Sequence, residues 1–102
     1  MDYDALADLA RPALIIAAAR RSLVTYGELA RAIGFPKDTP PSHHMKRILD
    51  RLSDRCTADG EPSLAVLVVA KDTGQPGSGF DPAGGTWHAE TQRCFRHWAA
   101  PA

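Results

Sequence analysis

The sequence has no excess of charge of either sign. Its 102 residues include twelve basic and twelve acidic side chains, so the formal net charge at pH 7 is zero. A strongly basic composition is the simplest indication of nucleic-acid binding, and this chain lacks it. Any contact with nucleic acid must therefore depend on local charge. The other proportions, 44% apolar and 24% charged residues, are typical of one folded domain spanning residues 1–102.

Cysteines and long apolar runs are also scarce. The chain has two cysteines, Cys56 and Cys94, far apart in the sequence. It does not start with a basic segment followed by an apolar stretch and a small-residue cleavage site. The apolar run Leu14–Ala19 is six residues long, against the ~20 needed to cross a bilayer. These absences predict a cytoplasmic protein with reduced thiols and no membrane partner.

A first helical region is predicted over Tyr3–Ser22, with Asp2 or Asp4 as its N-cap. Pro12 lies inside this region, lacks an N–H group and clashes with the preceding turn. We therefore expect a short turn up to Arg11 and a main helix that starts at Pro12. The residues expected to face the core are Leu14, Ile15 and Ala18.

A short second helix follows, and the sequence contains residues typical of both its start and its end. Thr25 and Glu28 have the spacing of a capping box, in which each side chain bonds the backbone N–H of the other residue. Gly34 supplies a left-handed C-terminal residue, and Pro36 prevents continuation. The apolar face of this helix is formed by Tyr26, Leu29, Ala30 and Ile33.

A third helix, over Ser42–Arg55, is predicted after a proline-rich connection. Its apolar positions recur at helical spacing and form the clearest amphipathic pattern in the chain. These positions are Met45, Ile48, Leu49, Leu52 and Cys56.

The second half of the sequence predicts a hairpin and a final helix. Leu64–Ala70 is a valine-rich apolar run that suits a buried strand, and a glycine-rich loop leads to a second short strand near Phe80. The expected fold is α+β: a winged helix-turn-helix with three N-terminal helices, a short β-hairpin and a C-terminal helix. One face of that last helix carries Trp87, Glu90, Thr91, Cys94, Phe95 and Trp98, and this face either seals the core or forms an exposed aromatic patch.

The segment Leu23–Ala30, with Ile33, Gly34 and Pro36, resembles the first helix of the helix-turn-helix in the O6-alkylguanine-DNA alkyltransferases and alkyltransferase-like proteins. The resemblance implies that Tyr26 lies near the DNA backbone, that the next helix enters the minor groove, and that the target base is flipped out. It covers about fourteen residues of the chain.

The catalytic part of that family is not recognisable in this chain. The family's reactive tetrapeptide Pro-Cys-His-Arg does not occur, and Cys56 extends an apolar helical stripe instead. No neighbouring group in the sequence is assured of lowering the pKa of this thiol. We therefore expect no enzymatic activity, with alkyl transfer to Cys56 as a remote alternative.

Basic residues are concentrated in the segment Arg20–Arg55, which has a local charge of +4. His43, Arg47, Arg51 and Arg55 recur every four residues and should form one stripe that suits phosphate. The alternative is an ordinary solvated helix face, in which Asp50 and Asp54 pair with these cations. The candidate DNA-binding residues are Tyr26, Ser42, His43, Lys46, Arg47, Arg51, Arg55, Lys71 and Gln75.

Neither a metal nor a cofactor is expected. The adjacent His43 and His44 point about 100 degrees apart on a helix, and no zinc-ligand spacing is present. The sequence leaves two functions open. One is regulatory or sensory binding of duplex DNA, and the other is a protein-interaction module that docks a partner protein or a second copy of itself.

Overall fold

Helices dominate the computed structural model, which describes residues 2–36, 42–72, 74, 76 and 87–99, except the side chains of Ser42 and His43. The helices are α1 (Tyr3–Ala19), α2 (Tyr26–Ala32), α3 (Ser42–Ala58) and α4 (Trp87–His97). Two short strands, β1 (Val24–Thr25) and β2 (Val68–Val69), accompany them, and a 3-10 helix (Leu64–Leu67) runs directly into β2. The architecture is therefore α+β.

The first helix is continuous, so the predicted break before Pro12 is wrong. α1 runs through Pro12, which is exposed. Buried alanine and leucine side chains before and after the proline pack α1 against α3, and this packing outweighs the lost hydrogen bond. Asp2 is the N-cap, since its carboxylate accepts from the N–H of Ala5 at 3.1 Å. Of the residues predicted to face the core, Leu14 and Ala18 are buried and Ile15 is half-buried.

The caps of α2 are confirmed. The N–H of Glu28 donates to Thr25 Oγ1 at 3.1 Å, and the N–H of Thr25 donates to Glu28 Oε1 at 2.9 Å. The backbone bond to Thr25 lowers the pKa of Glu28 below its usual value. Gly34 adopts φ +83°, as a helix-ending glycine should, and the N–H of Phe35 returns to the carbonyl of Ala30 at 2.9 Å.

The apolar stripe of α3 is confirmed and forms the centre of the core. All five predicted positions of this stripe are buried, with Ile48, Leu52 and Cys56 fully inaccessible. α1 packs along α3, and the 3-10 helix packs against both. The core therefore lies between the four helices and the chain segment that follows α3.

The valine-rich run is buried as expected, but only its last part is a strand, and the partner of that strand in the described residues is β1. Leu64–Leu67 forms a 3-10 helix, and β2 pairs in parallel with β1, placing Val24 beside Val68 and Thr25 beside Val69. Every residue from Leu64 to Val69 is buried, so its backbone groups must find partners inside the protein. The 3-10 turn and the pairing with β1 provide them. The predicted second strand near Phe80 lies outside the described residues.

The aromatic face of α4 packs on the core. Thr91, Cys94 and Phe95 are buried, while Trp87 and Trp98 are half-buried against the same cluster. The first alternative for this face, that it seals the core, is therefore the one observed.

Ser63 links the buried run to two helices. Its N–H donates to Glu90 Oε2 at 2.9 Å, and its carbonyl accepts from Cys94 Sγ at 3.1 Å, both on α4. Its hydroxyl lies 2.8 Å from that of Ser53 on α3. One residue thus fixes the entry of the buried run between α3 and α4.

Arg11 and Glu61 join α1 to the turn after α3. The guanidinium donates to both carboxylate oxygens, at 2.9 and 3.0 Å, and the side chains are only 29% and 16% exposed. The hydrogen bonds from Arg11 lower the pKa of Glu61. Arg11 also lies over the ring of Trp98, 5.5 Å from its centre, so the pair reaches the end of α4.

We predict that Thr25→Ala lowers the free energy of unfolding by about 1 kcal/mol, because the first turn of α2 loses its hydroxyl acceptor. Urea denaturation followed by circular dichroism measures the change. Thr57→Ala, at an exposed position near the end of α3, is the matched control and should change the stability by less than about 0.5 kcal/mol. Equal effects of the two substitutions would contradict the role of the cap.

We predict that Glu61→Gln removes part of the pH dependence of stability in acid. The pKa of Glu61 is lower in the folded than in the unfolded protein, so its contribution is present above the unfolded value and is lost as the pH falls through the folded value. Urea midpoints measured from neutral pH downward should therefore fall less steeply for Glu61→Gln than for the wild type. Asp72→Asn, an exposed carboxylate after β2, serves as the control, and an identical slope for all three proteins would refute the assignment.

Candidate nucleic-acid interface

The basic stripe of α3 faces carboxylates from α1. Arg51 Nη1 lies 3.0 Å from Asp4 Oδ1, and Arg55 forms ion pairs with both Asp4 and Asp8. The sequence pattern predicts pairing only with Asp50 and Asp54 of the same helix. The acidic partners of Arg51 and Arg55 come instead from a segment more than forty residues earlier.

Arg47 and Arg51, in the middle of the stripe, lie beside Tyr3 of α1. The guanidinium carbons of Arg47 and Arg51 lie 5.7 and 5.8 Å from the centre of the Tyr3 ring. The Tyr3 hydroxyl is 2.9 Å from His44 Nδ1. Within the described part of the chain, Arg47 has no carboxylate at ion-pair distance. Arg47 is therefore the arginine of the stripe that keeps its charge available to an external anion.

Lys46 lies on the exposed side of α3 and is also paired. Its ammonium group is 3.0 Å from Asp50 Oδ2, one of the pairs expected for a solvated helix face. Both side chains are well exposed, and such pairs contribute a few tenths of a kcal/mol. A phosphate could therefore displace Asp50 at little cost. Three further candidates are not placed: the side chains of Ser42 and His43, and the whole of Gln75, fall outside the described residues.

Two candidates distant in sequence, Tyr26 and Lys71, lie together. They line a shallow open depression at the start of α2, called here the Tyr26 depression, with Lys71 two residues beyond β2. Because Thr25 pairs with Val69 in the parallel ladder, the residues that follow both strands are brought to the same place. The depression is lined by Thr25, Tyr26, Gly27, Glu28, Arg31 and Lys71.

Arg31 also lines this depression, although it is not among the DNA-binding residues predicted from the sequence. A side chain at Gly27 would meet Arg31 Nη1 at 3.8 Å, so the guanidinium folds back over the first turn of α2. The spacing from Gly27 to Arg31 is four residues, which is a signal that the sequence already carried. Among the described residues, neither Arg31 nor Lys71 forms a salt bridge. The depression thus holds two cations without a salt bridge among the described residues. Its one carboxylate, Glu28, is committed to the cap, and the nearby charge of Arg31 contributes to lowering the pKa of Glu28.

Both cysteines are buried, which disfavours their reactive form. Cys56 and Cys94 are fully inaccessible. Burial raises the pKa of Cys56 and raises the pKa of Cys94 to about 12. The thiolate is the nucleophilic form of cysteine, so neither residue is activated at neutral pH.

The described residues contain neither a cluster of metal-ligating side chains nor a membrane-spanning helix. Nowhere in 2–36, 42–72, 74, 76 and 87–99 do three histidine, cysteine, aspartate or glutamate side chains approach closely enough to share a metal ion. His88 and His97 contact Trp87 and Trp98 instead. Within the same ranges, no helix has the length and apolarity to span a bilayer.

Comparison with protein-family models, with curated proteins and with solved structures found no significant match. Function is therefore argued from the chain's own residues.

We predict that Cys56 and Cys94 react with a thiol reagent only on unfolding. In native buffer, a chromogenic disulfide should label both cysteines more slowly than a small thiol in solution, by orders of magnitude. The reason is that both side chains are inaccessible and protonated. Addition of urea should expose two thiols per chain. Incubation with an alkylguanine-containing oligonucleotide should give no mass increase on Cys56. Rapid native labelling, or an alkyl adduct, would contradict this account.

Proposed function

We propose that this chain is a non-catalytic winged-helix protein that binds duplex DNA, with the Tyr26 depression as its main phosphate contact. The observation that carries the proposal is the juxtaposition of Tyr26, Arg31 and Lys71 around one open surface. Resemblance of the Leu23–Ala30 segment to the helix-turn-helix of the alkyltransferase family supports the same role for Tyr26.

The chemistry of the depression suits a phosphate group. Arg31 can offer two parallel N–H donors, and Lys71 offers a compact positive charge on a flexible stem. The phenol of Tyr26 is a further polar group of the kind that commonly contacts the DNA backbone. Such contacts position a protein on the duplex without selecting a base sequence.

Fewer basic residues of α3 are available to bind DNA phosphates than the sequence predicts. Arg47 remains available, and Lys46 can exchange its exposed carboxylate for a phosphate. Arg51 and Arg55 would have to leave Asp4 and Asp8 before binding, which reduces the gain. We therefore expect weak, strongly salt-dependent binding that involves a few phosphates.

We predict that Arg31→Ala combined with Lys71→Ala weakens binding to a fluorescent duplex by about tenfold or more at low salt. Each lost phosphate contact should also lower the slope of log affinity against log salt by about 0.9. Fluorescence anisotropy titrations at several salt concentrations measure both quantities. The matched control is Arg21→Ala with Arg96→Ala, which removes the same charge from two exposed positions outside the depression.

Two outcomes would overturn the proposal. One is the absence of binding to any duplex at tens of micromolar protein in low salt. The other is an equal loss of affinity in the test and control variants, because that would reflect net charge and not the depression.

A second variant, Asp4→Asn with Asp8→Asn, tests whether these carboxylates keep Arg51 and Arg55 from binding DNA. If they do, this variant should bind the duplex more tightly than the wild type.

A protein-interaction module is the second candidate. The observation in its favour is that carboxylates of α1 pair with Arg51 and Arg55. This pairing leaves α3 with less unpaired positive charge than the recognition helix of a DNA-binding protein usually has. A stoichiometric protein partner retained through nuclease treatment and high salt would favour this role, since DNA contacts weaken steeply with salt.

A further inference from the structure

The side of α1 that points away from the core carries an apolar stripe. Leu9 and Ile16 are 56% and 55% exposed, the largest exposed fractions of any large apolar side chain in the described residues. They are two helical turns apart, with exposed Pro12 between them. The core-facing side of α1 is separate from this stripe and consists of Ala7, Ala10, Leu14, Ala17 and Ala18.

The two ends of this stripe have opposite charge. At the start of α1 the same side bears Asp2, which is exposed. At the other end it bears Arg20, followed by Arg21. Along one line of the helix surface, three or four residues apart, the order is Asp2, Ala5, Leu9, Pro12, Ile16 and Arg20, called here the outer face of α1.

We propose that the outer face of α1 binds a second copy of this chain, with the two helices antiparallel about a two-fold axis. Such a face is complementary to itself only in the antiparallel orientation, because its acidic end then meets the basic end of the partner. Leu9 lies opposite the partner's Ile16, and Ala5 lies opposite the partner's Arg20. Asp2 is one turn from Ala5, about 4.5 Å along the axis, so it lies within reach of that arginine.

Burial of two exposed aliphatic side chains from each copy supplies the attraction, and the charged ends set the orientation. One helix pair forms a small interface, so the dimer is weak and depends on protein concentration. The outer face shares no residue with the Tyr26 depression, so dimerisation and DNA binding can be tested separately.

Sedimentation velocity of the full chain over a wide concentration range tests self-association. The wild type should show a monomer–dimer equilibrium, and Ile16→Lys should raise the dissociation constant at least tenfold. Because Ile16 is exposed, this substitution should leave the helical circular dichroism and the urea midpoint close to those of the wild type. A wild type that remains monomeric, or an Ile16→Lys variant that still dimerises, would overturn the proposal.

A charge-exchange experiment tests the orientation. Ala5→Lys places a cation opposite the partner's Arg20, and Arg20→Glu places an anion opposite the acidic start of the partner's α1. Each variant alone should dimerise more weakly, whereas an equimolar mixture should recover a heterodimer. Failure of the mixture to associate would reject the antiparallel arrangement. Ala58→Lys and Arg96→Glu, exposed positions on α3 and α4, are the matched controls and should behave like the wild type.

Discussion

Burial of the segment from Leu64 to Val69 is the constraint on which the rest of the structure depends. Six consecutive residues, none more than 7% exposed, must find partners for their backbone groups within the protein. The 3-10 turn does so for the first part, and the ladder with β1 does so for the second. α1, α3 and α4 then pack around this segment. The same ladder brings Lys71 to the start of α2, so the requirement for backbone hydrogen bonds also shapes the candidate phosphate surface.

Ion pairing between helices determines which cations are available for binding. Asp4 and Asp8 of α1 lie against Arg51 and Arg55, while Arg31 and Lys71 have no salt-bridge partner in the described part of the chain. Exposed pairs of this kind add little stability. Their larger effect is electrostatic, because they reduce the positive potential along α3 and leave the Tyr26 depression as the better anion site.

Local features were predictable from the sequence, and contacts between distant segments were not. The capping box of Thr25, the turn at Gly34 and the buried stripe of α3 depend on residues within a few positions of each other, and all were correctly predicted. Pro12 was misjudged because packing against α3 outweighs its local preference. The pairing of Asp4 with Arg51 and of β1 with β2 could not be inferred, since period and composition carry no information about which segments meet. For the same reason, the sequence predicts Tyr26 and Lys71 as separate DNA-binding residues, and only the folded structure shows that they lie close together.

Ser63 makes the final helix part of the same cooperative unit as the centre of the protein. The N–H and carbonyl of Ser63 are bonded to α4, and its hydroxyl lies beside that of Ser53 on α3. Detachment of α4 would leave these two backbone groups without their hydrogen-bond partners. Opening of α4 alone is thereby disfavoured, and its amide protons should exchange with solvent through the same global unfolding that exposes α3. A mechanical pull on α4 would therefore reach the interior partly through this serine, together with the apolar contacts of Cys94 and Phe95.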